Sequence, residues 1–305
     1  MRLFLRSAWQ VIICLLIFSF PHLVFSSENI EEARARAEEY ARKSLEARKK
    51  PPRELSPQEQ KAEELIKQAD VIIAQAETPE QVEPAIKLYQ QAIQTAPNYD
   101  KAWWGLGMSQ WTKAVLMPQQ NRKEKQAVLK LLEDAEKSCK KALEIDPMSP
   151  GANYWLSNIF LSQAGLKGMI RGAFILPRVF KLSDKVAEVD PYYGHGAIFR
   201  TYGIVLMVVP DWLSRRFGYT PEIILPYLDK AIELEPNCFA NYLVRAGIYL
   251  KLAGEENKER ALKDLDYVLT HNPELLEGYQ ADNRRRQKEA KQIWKQITGK
   301  EYPQK

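Results

Sequence analysis

The chain has 305 residues, 45% of them apolar and 27% charged, enough for an ample buried core in one or two domains. Its formal charge is +5. Without Arg2 and Arg6 in the first segment the balance falls to about +3, too weak a bias to argue for a nucleic-acid partner.

Residues 1–26 open with those two arginines, continue through an apolar stretch from Val11 to Phe20, and end with Val24 and Ser26 at the −3 and −1 positions of a cleavage site. This is the three-part pattern of a secretory signal, which predicts a periplasmic or secreted product. An uncleaved inner-membrane anchor is the alternative. The apolar stretch is short for a span of about 20 residues, and Pro21 and His22 interrupt it. Ile13 stands before Cys14 where a lipoprotein signal has a small residue, which argues against acylation. The other cysteines, Cys139 and Cys238, fall in helical patterns and are expected to be buried free thiols.

Residues 27–56 hold Ala, Glu and Arg at helical spacing with little apolar face, so an exposed helical tether is expected, followed by a linker broken at Pro51 and Pro52. Ser56, Pro57 and Glu59 then read as N-cap, first-turn proline and capping carboxylate of the next helix.

From residue 57 to about 299 the chain repeats itself, with a short tail at 300–305. Prolines 97, 147, 191, 236 and 273 each close a similar phrase, as in "TAPNYDKAW" and "VDPYYGHGAIF". Twelve residues before them stand Ala85, Ala135, Val179, Ile224 and Ala261, and five before stand Ala92, Ala142, Val186, Ala231 and Val268. After the first proline come Trp103, Leu106 and Gly107. This order resembles the tetratricopeptide repeat, a helix–turn–helix unit of about 34 residues. Small residues let the second helix approach the first, and the proline ends it. The expected fold is all-α: a solenoid of about five helix pairs with a C-terminal capping helix from about Glu274 to Ile297. The same cap, Thr-Pro-Glu at 78–80 and 220–222, opens two of the second helices.

The units exceed the repeat length through insertions. The first, "MPQQNRKEKQAVLK", is polar and should lengthen a helix pair. The next two, "SQAGLKGMIRGAFILPRVF" and "VLMVVPDWLSRRFGYTPEIILP", are apolar and aromatic, and insertions in a solenoid tend to gather on a binding face. The stretch 189–210 thus reads as the close of one unit and the first helix of the next, with Gly194 and Gly196 at a tight turn.

One slot departs from the pattern. Nine residues after the closing proline stand Leu106 and Leu156, but then Arg200 and Arg245. A guanidinium in an inter-helix slot needs an acceptor. Either it pairs with Asp190, Asp229 or Asp264, or it faces a cavity and meets an anionic ligand group. The second reading gives a pocket for an apolar or amphipathic molecule, lined by Trp155, Phe160, Met169, Phe174, Tyr202, Met207 and Trp212, with Arg200 and Arg245 at polar positions; the bland reading makes the aromatics plain core.

No enzyme signal stands out. His195 and His271 lack neighbours at metal-ligand spacing, and no phosphate loop, dinucleotide fingerprint or GxSxG elbow occurs. Arg284-Arg285-Arg286 reads as a solvated helix end. No cofactor and no nucleic acid are expected, and self-association stays open.

Residues 62–297 also resemble a narrower family. "GLKGMIRGAFILPRVFKLSDKVAEVDPYYGHGAIFRTYGIVLMVVP", "YLDKAIELEPNCFANYLVRAGIYLKLAG" and "ADNRRRQKEAKQIW" look like the T component associated with tripartite ATP-independent periplasmic (TRAP) transporters. The resemblance implies a periplasmic helper with an apolar-lined cavity that partners a solute-binding protein. The chain departs from it in lacking a lipobox and in carrying "FGYTPEII" where the family tends to show a Gly-Asp turn. A generic envelope scaffold for protein–protein interaction is the alternative function.

Overall fold

The computed structural model describes residues 29–51, 53–167, 175–208, 211 and 220–303, and every regular element among them is helical. In chain order these are α1 (Ile30–Lys49), α2 (Pro57–Gln75), α3 (Pro79–Thr95), α4 (Asp100–Leu116), α5 (Arg122–Ile145), α6 (Pro150–Lys167), α7 (Leu176–Val189), α8 (Tyr193–Val208), α9 (Leu225–Leu234), α10 (Phe239–Leu252), α11 (Glu255–Thr270) and α12 (Gln280–Thr298). Single 3-10 turns span Pro221–Ile224 and Pro273–Leu275.

They gather into two compact units. The first holds α2 to α7, where each helix packs on the next in sequence and α4 also touches α2 and α6. The second holds α8 to α12 together with α1. In it α8 packs on α9 and α10, α10 on α11, and α12 closes against both α10 and α11. Five helix pairs and a terminal capping helix match the expected all-α solenoid. The cap begins at Gln280 rather than near Glu274, because Pro273 to Leu275 first make a 3-10 turn.

The repeat's small-residue slots explain why the helices sit so close. Ala85, Ala92, Ala135, Ala142, Val179, Val186, Ile224, Ala261 and Val268 are fully buried, and Ala231 is 1% exposed. The approach is mutual: a Cβ added at Gly107 would lie 2.4 Å from Cys139 Sγ and 3.0 Å from the Ala135 carbonyl. Both Cys139 and Cys238 are buried and free. Ala231→Trp is expected to cost about 1–3 kcal/mol or more by overpacking one such slot. Chemical denaturation measures this, and wild-type stability would mean that the slot is not packed as described.

Helix ends follow the sequence. At α2 the Ser56 N–H donates to Glu59 (2.8 Å) and the Glu59 N–H donates back to Ser56 Oγ (3.3 Å). The Arg53 guanidinium and the Ser56 amide hold the Glu59 carboxyl down to about 2. Thr78 and Pro79 start α3, with Gln81 accepting from the Thr78 N–H at 3.1 Å. The matching cap at Thr220 opens a 3-10 turn instead, and the α-helix starts only at Leu225, with Pro226 in its first turn. The polar insertion does lengthen a helix: α5 runs for 24 residues.

The charged segment before the linker is not an exposed tether. It forms α1, and Ala33, Ala37, Ala41 and Ser44 are buried against α9 and the turn before it. A stripe of alanines carries almost no hydrophobic signal, yet its lack of bulk is what allows close contact.

Candidate functional site

The arginine slots are the most unusual side-chain positions among the described residues, and each is satisfied from within the second unit. Arg245, on α10, makes a two-pronged contact with Asp264 on α11: Nε donates to Oδ2 at 2.9 Å and NH2 to Oδ1 at 2.6 Å. NH1 donates to Asp229 at 2.6 Å, and the guanidinium lies 5.6 Å over the Tyr242 ring. Of the two readings open for this slot, the structure shows the pairing with Asp229 and Asp264. Although burial opposes the charge, the two carboxylates outweigh it and raise the arginine's affinity for its proton.

Arg200 does something that neither sequence reading offered. The first residues of α8 form a left-handed turn before the regular helix, with φ of 56° at Gly194, 58° at His195 and 82° at Gly196. Such a turn suits the two glycines and strains the histidine between them. It also leaves carbonyls without helical partners. Arg200, 8% exposed and one helical turn on, donates from NH1 to the His195 carbonyl at 2.7 Å and from NH2 to the Gly194 carbonyl at 2.8 Å. Asn241 of α10, fully buried, accepts from Arg200 NH1 at 2.7 Å and donates to the same His195 carbonyl at 3.0 Å. The guanidinium therefore clamps a backbone turn, with these hydrogen bonds going to two carbonyls and an amide oxygen. Asp190, one expected partner, instead accepts from the Ser44 hydroxyl and the Tyr192 N–H.

The half-buried His195 ring meets Tyr279 edge-on at 5.0 Å. Burial lowers its pKa; Arg200 and Arg48 push the same way, while Glu235 and Asp190 oppose. The unfolded chain thus takes up a proton there more readily than the folded one, so the second unit loses stability as the pH falls from about 6.5. His195→Asn, which tolerates positive φ, is expected to be less acid-sensitive than wild type. Denaturant melts of both proteins at pH 7.5 and 5.5 measure this, and equal acid losses would refute it.

The other predicted lining residues divide between the units. Trp155 and Phe160 lie in the first. Trp155 packs between its two core clusters, with ring centroids 5.3 Å from Trp111 and 4.9 Å from Tyr154, and Phe160 is 6% exposed in one of them. Tyr202 and Met207 lie in the second, where Tyr202 is buried and Met207 fills the space over Gly247. Met169, Phe174 and Trp212 lie outside the described residues. The basic cluster on α12 is internally paired, Arg284 with Glu274, Arg285 with Asp282, and Arg286 with Asp282 and Glu289.

A feature that spacing did not reveal is a cleft of about 410 Å³ in the first unit. It lies where α4 and α6 end and α5 begins, lined by Ala114, Val115, Val128, Leu132 and Leu166, with Lys125 and Ser162 among its polar groups. Gly165 contributes to the opening, since a Cβ there would meet nothing within 4 Å. No group of His, Cys, Asp and Glu side chains suited to a metal ion occurs among the described residues, and none of their helices is long and apolar enough to cross a membrane.

No protein-family model matches the sequence, and no curated protein matches it. The crystal structure of a thermophilic TPR protein from Thermus thermophilus is similar in fold, with a TM-score of 0.52 over 75% of this chain and 98% of that one, at 17% identity. Helix pairing, buried small-residue slots and this likeness together give the chain the fold of a tetratricopeptide-type α-solenoid.

Proposed function

We propose that this chain is a helical-repeat scaffold that binds a protein partner in the cell envelope, as the T component of a TRAP-type transporter. The observation that carries the scaffold reading is how the second unit disposes of its unusual groups. Arg200, Arg245 and Tyr202 are all engaged in holding the fold, and helical-repeat folds of this kind typically recognise protein partners over extended surfaces. The transporter role rests on the sequence resemblance over residues 62–297, and export rests on the pattern of residues 1–26. N-terminal sequencing of the mature product is expected to begin at Ser27 or Glu28. Calorimetric titration with a TRAP-type solute-binding protein from the same genome tests the partner, and absence of binding would remove the transporter role while leaving the scaffold.

The apolar-ligand element of this reading is better supported by the cleft among α4, α5 and α6 than by the arginine slots. Lys125 stands there with five apolar side chains, a pairing that suits an amphipathic anion. A fluorescent fatty-acid probe is expected to bind the wild type and to bind Val115→Trp, at an exposed lining position, much more weakly. Equal binding by both would reject the cleft.

A further inference from the structure

We propose that α1 is a displaceable cover, and that the face of the second unit beneath it is a docking surface for a partner helix of α1's own chemistry. This stands apart from the transporter role and would survive its loss.

The two sides of the contact are unequal. The receiving side is bulky and apolar: Tyr192, Phe199, Ile223, Ile224 and Tyr227 are all 4% exposed or less. Their aromatic rings are mutually packed, Phe199 against Tyr227 at 4.8 Å and against Tyr192 at 4.9 Å. The α1 side presents four of the smallest side chains, Ala33, Ala37, Ala41 and Ser44, along one narrow stripe. Tyr40 adds an aromatic ring, 6.3 Å from Phe199 and 6.1 Å from Tyr227. The rest of the helix is mostly charged. Alanine and serine side chains bury little apolar area each, which puts α1 toward the low-stability end of the second unit, where local unfolding occurs.

Polar contacts at the rim fix register and direction. Lys230 of α9 bonds to Glu38 at 2.6 Å, the Arg48 guanidinium donates to the Tyr192 carbonyl at 3.1 Å, and Ser44 donates to Asp190. These specify the occupant: a helix with small residues at every third or fourth position, an aromatic residue beside them, an acidic residue facing Lys230 and a basic residue at its C-terminal end. The helix and its receiving face belong to one chain, so α1 acts as an intramolecular competitor. Such a competitor masks the face from weak partners and yields to strong ones.

The test uses the full chain and a fluorescein-labelled synthetic peptide of residues 29–50. Fluorescence anisotropy is expected to show little binding to the wild type, whose face is occupied. Glu39→Pro, on the exposed side of α1, breaks that helix without touching the receiving face, and is expected to tighten peptide binding by at least about tenfold. The pair Ala37→Asp and Ala41→Asp should do the same by a different route. Adding Lys230→Glu should weaken the peptide again, and a Glu38→Lys peptide should restore it. Two results overturn the proposal. One is a second unit that stays folded on α1 disruption but binds no peptide. The other is loss of its cooperative unfolding transition on disruption, which makes α1 an obligate core helix.

Discussion

Replacing Arg200 with leucine is expected to destabilise the second unit by about 3–5 kcal/mol. The leucine fits an inter-helix slot by shape, as Leu106 and Leu156 do at the matching positions of the first unit. The loss comes from what the guanidinium leaves behind. The Gly194 and His195 carbonyls and Asn241 Oδ1 accept from it at 2.7–2.8 Å, and each hydrogen bond to a charged group is worth about 1.5–3 kcal/mol. Asn241 can still donate to the His195 carbonyl, which moderates the total. Arg200→Lys recovers only part, because a compact ammonium does not reproduce the planar fork. Urea melts followed by circular dichroism provide the measurement. A loss below about 1 kcal/mol would show that the left-handed turn holds itself.

Arg245→Leu is expected to cost about 3–5 kcal/mol for a different reason: it strands the Asp264 carboxylate, 4% exposed, without its two-pronged partner. Asp229 is more than half exposed and loses little. Replacing Arg245 and Asp264 together by leucine should return most of the stability, since two apolar side chains need no counter-charge. A double-mutant cycle isolates the coupling. If the double variant were as unstable as the sum of the single ones, the pair would not be coupled.

The contrast between these arginines marks where the sequence stops being readable. The repeat was legible because its slots are chemically narrow. Alanine twelve and five residues before a closing proline has few reasons to recur other than close helix approach, and those positions are buried from Ala85 to Val268. Arg245 was legible for a similar reason, since its partners are side chains that a sequence displays. Arg200 was not, because its principal acceptors are carbonyls, which every residue has. The only hint was Gly194 and Gly196 flanking His195, and glycines announce a turn without saying what holds it. Of the proposed lining, Phe160 and Tyr202 are in the core, the bland alternative for any aromatic at helical spacing. The docking of α1 was hidden most deeply, because alanine stripes on charged helices look alike whether they are solvated or covered.

That docking also sets an order of events in synthesis. Ser44 and Asp190, joined in the finished protein, are 146 positions apart. At an elongation speed of about 5–20 residues per second, α1 leaves the ribosome roughly 7–30 s before even the start of its landing site has been made. Throughout that interval it is a charged, alanine-rich helix with nothing to rest on, marginal in water by its own propensity. The helices of the first unit emerge meanwhile and can close on one another locally. The nascent chain therefore completes its middle before α1 docks, and α1, though translated early, is among the last elements to be seated.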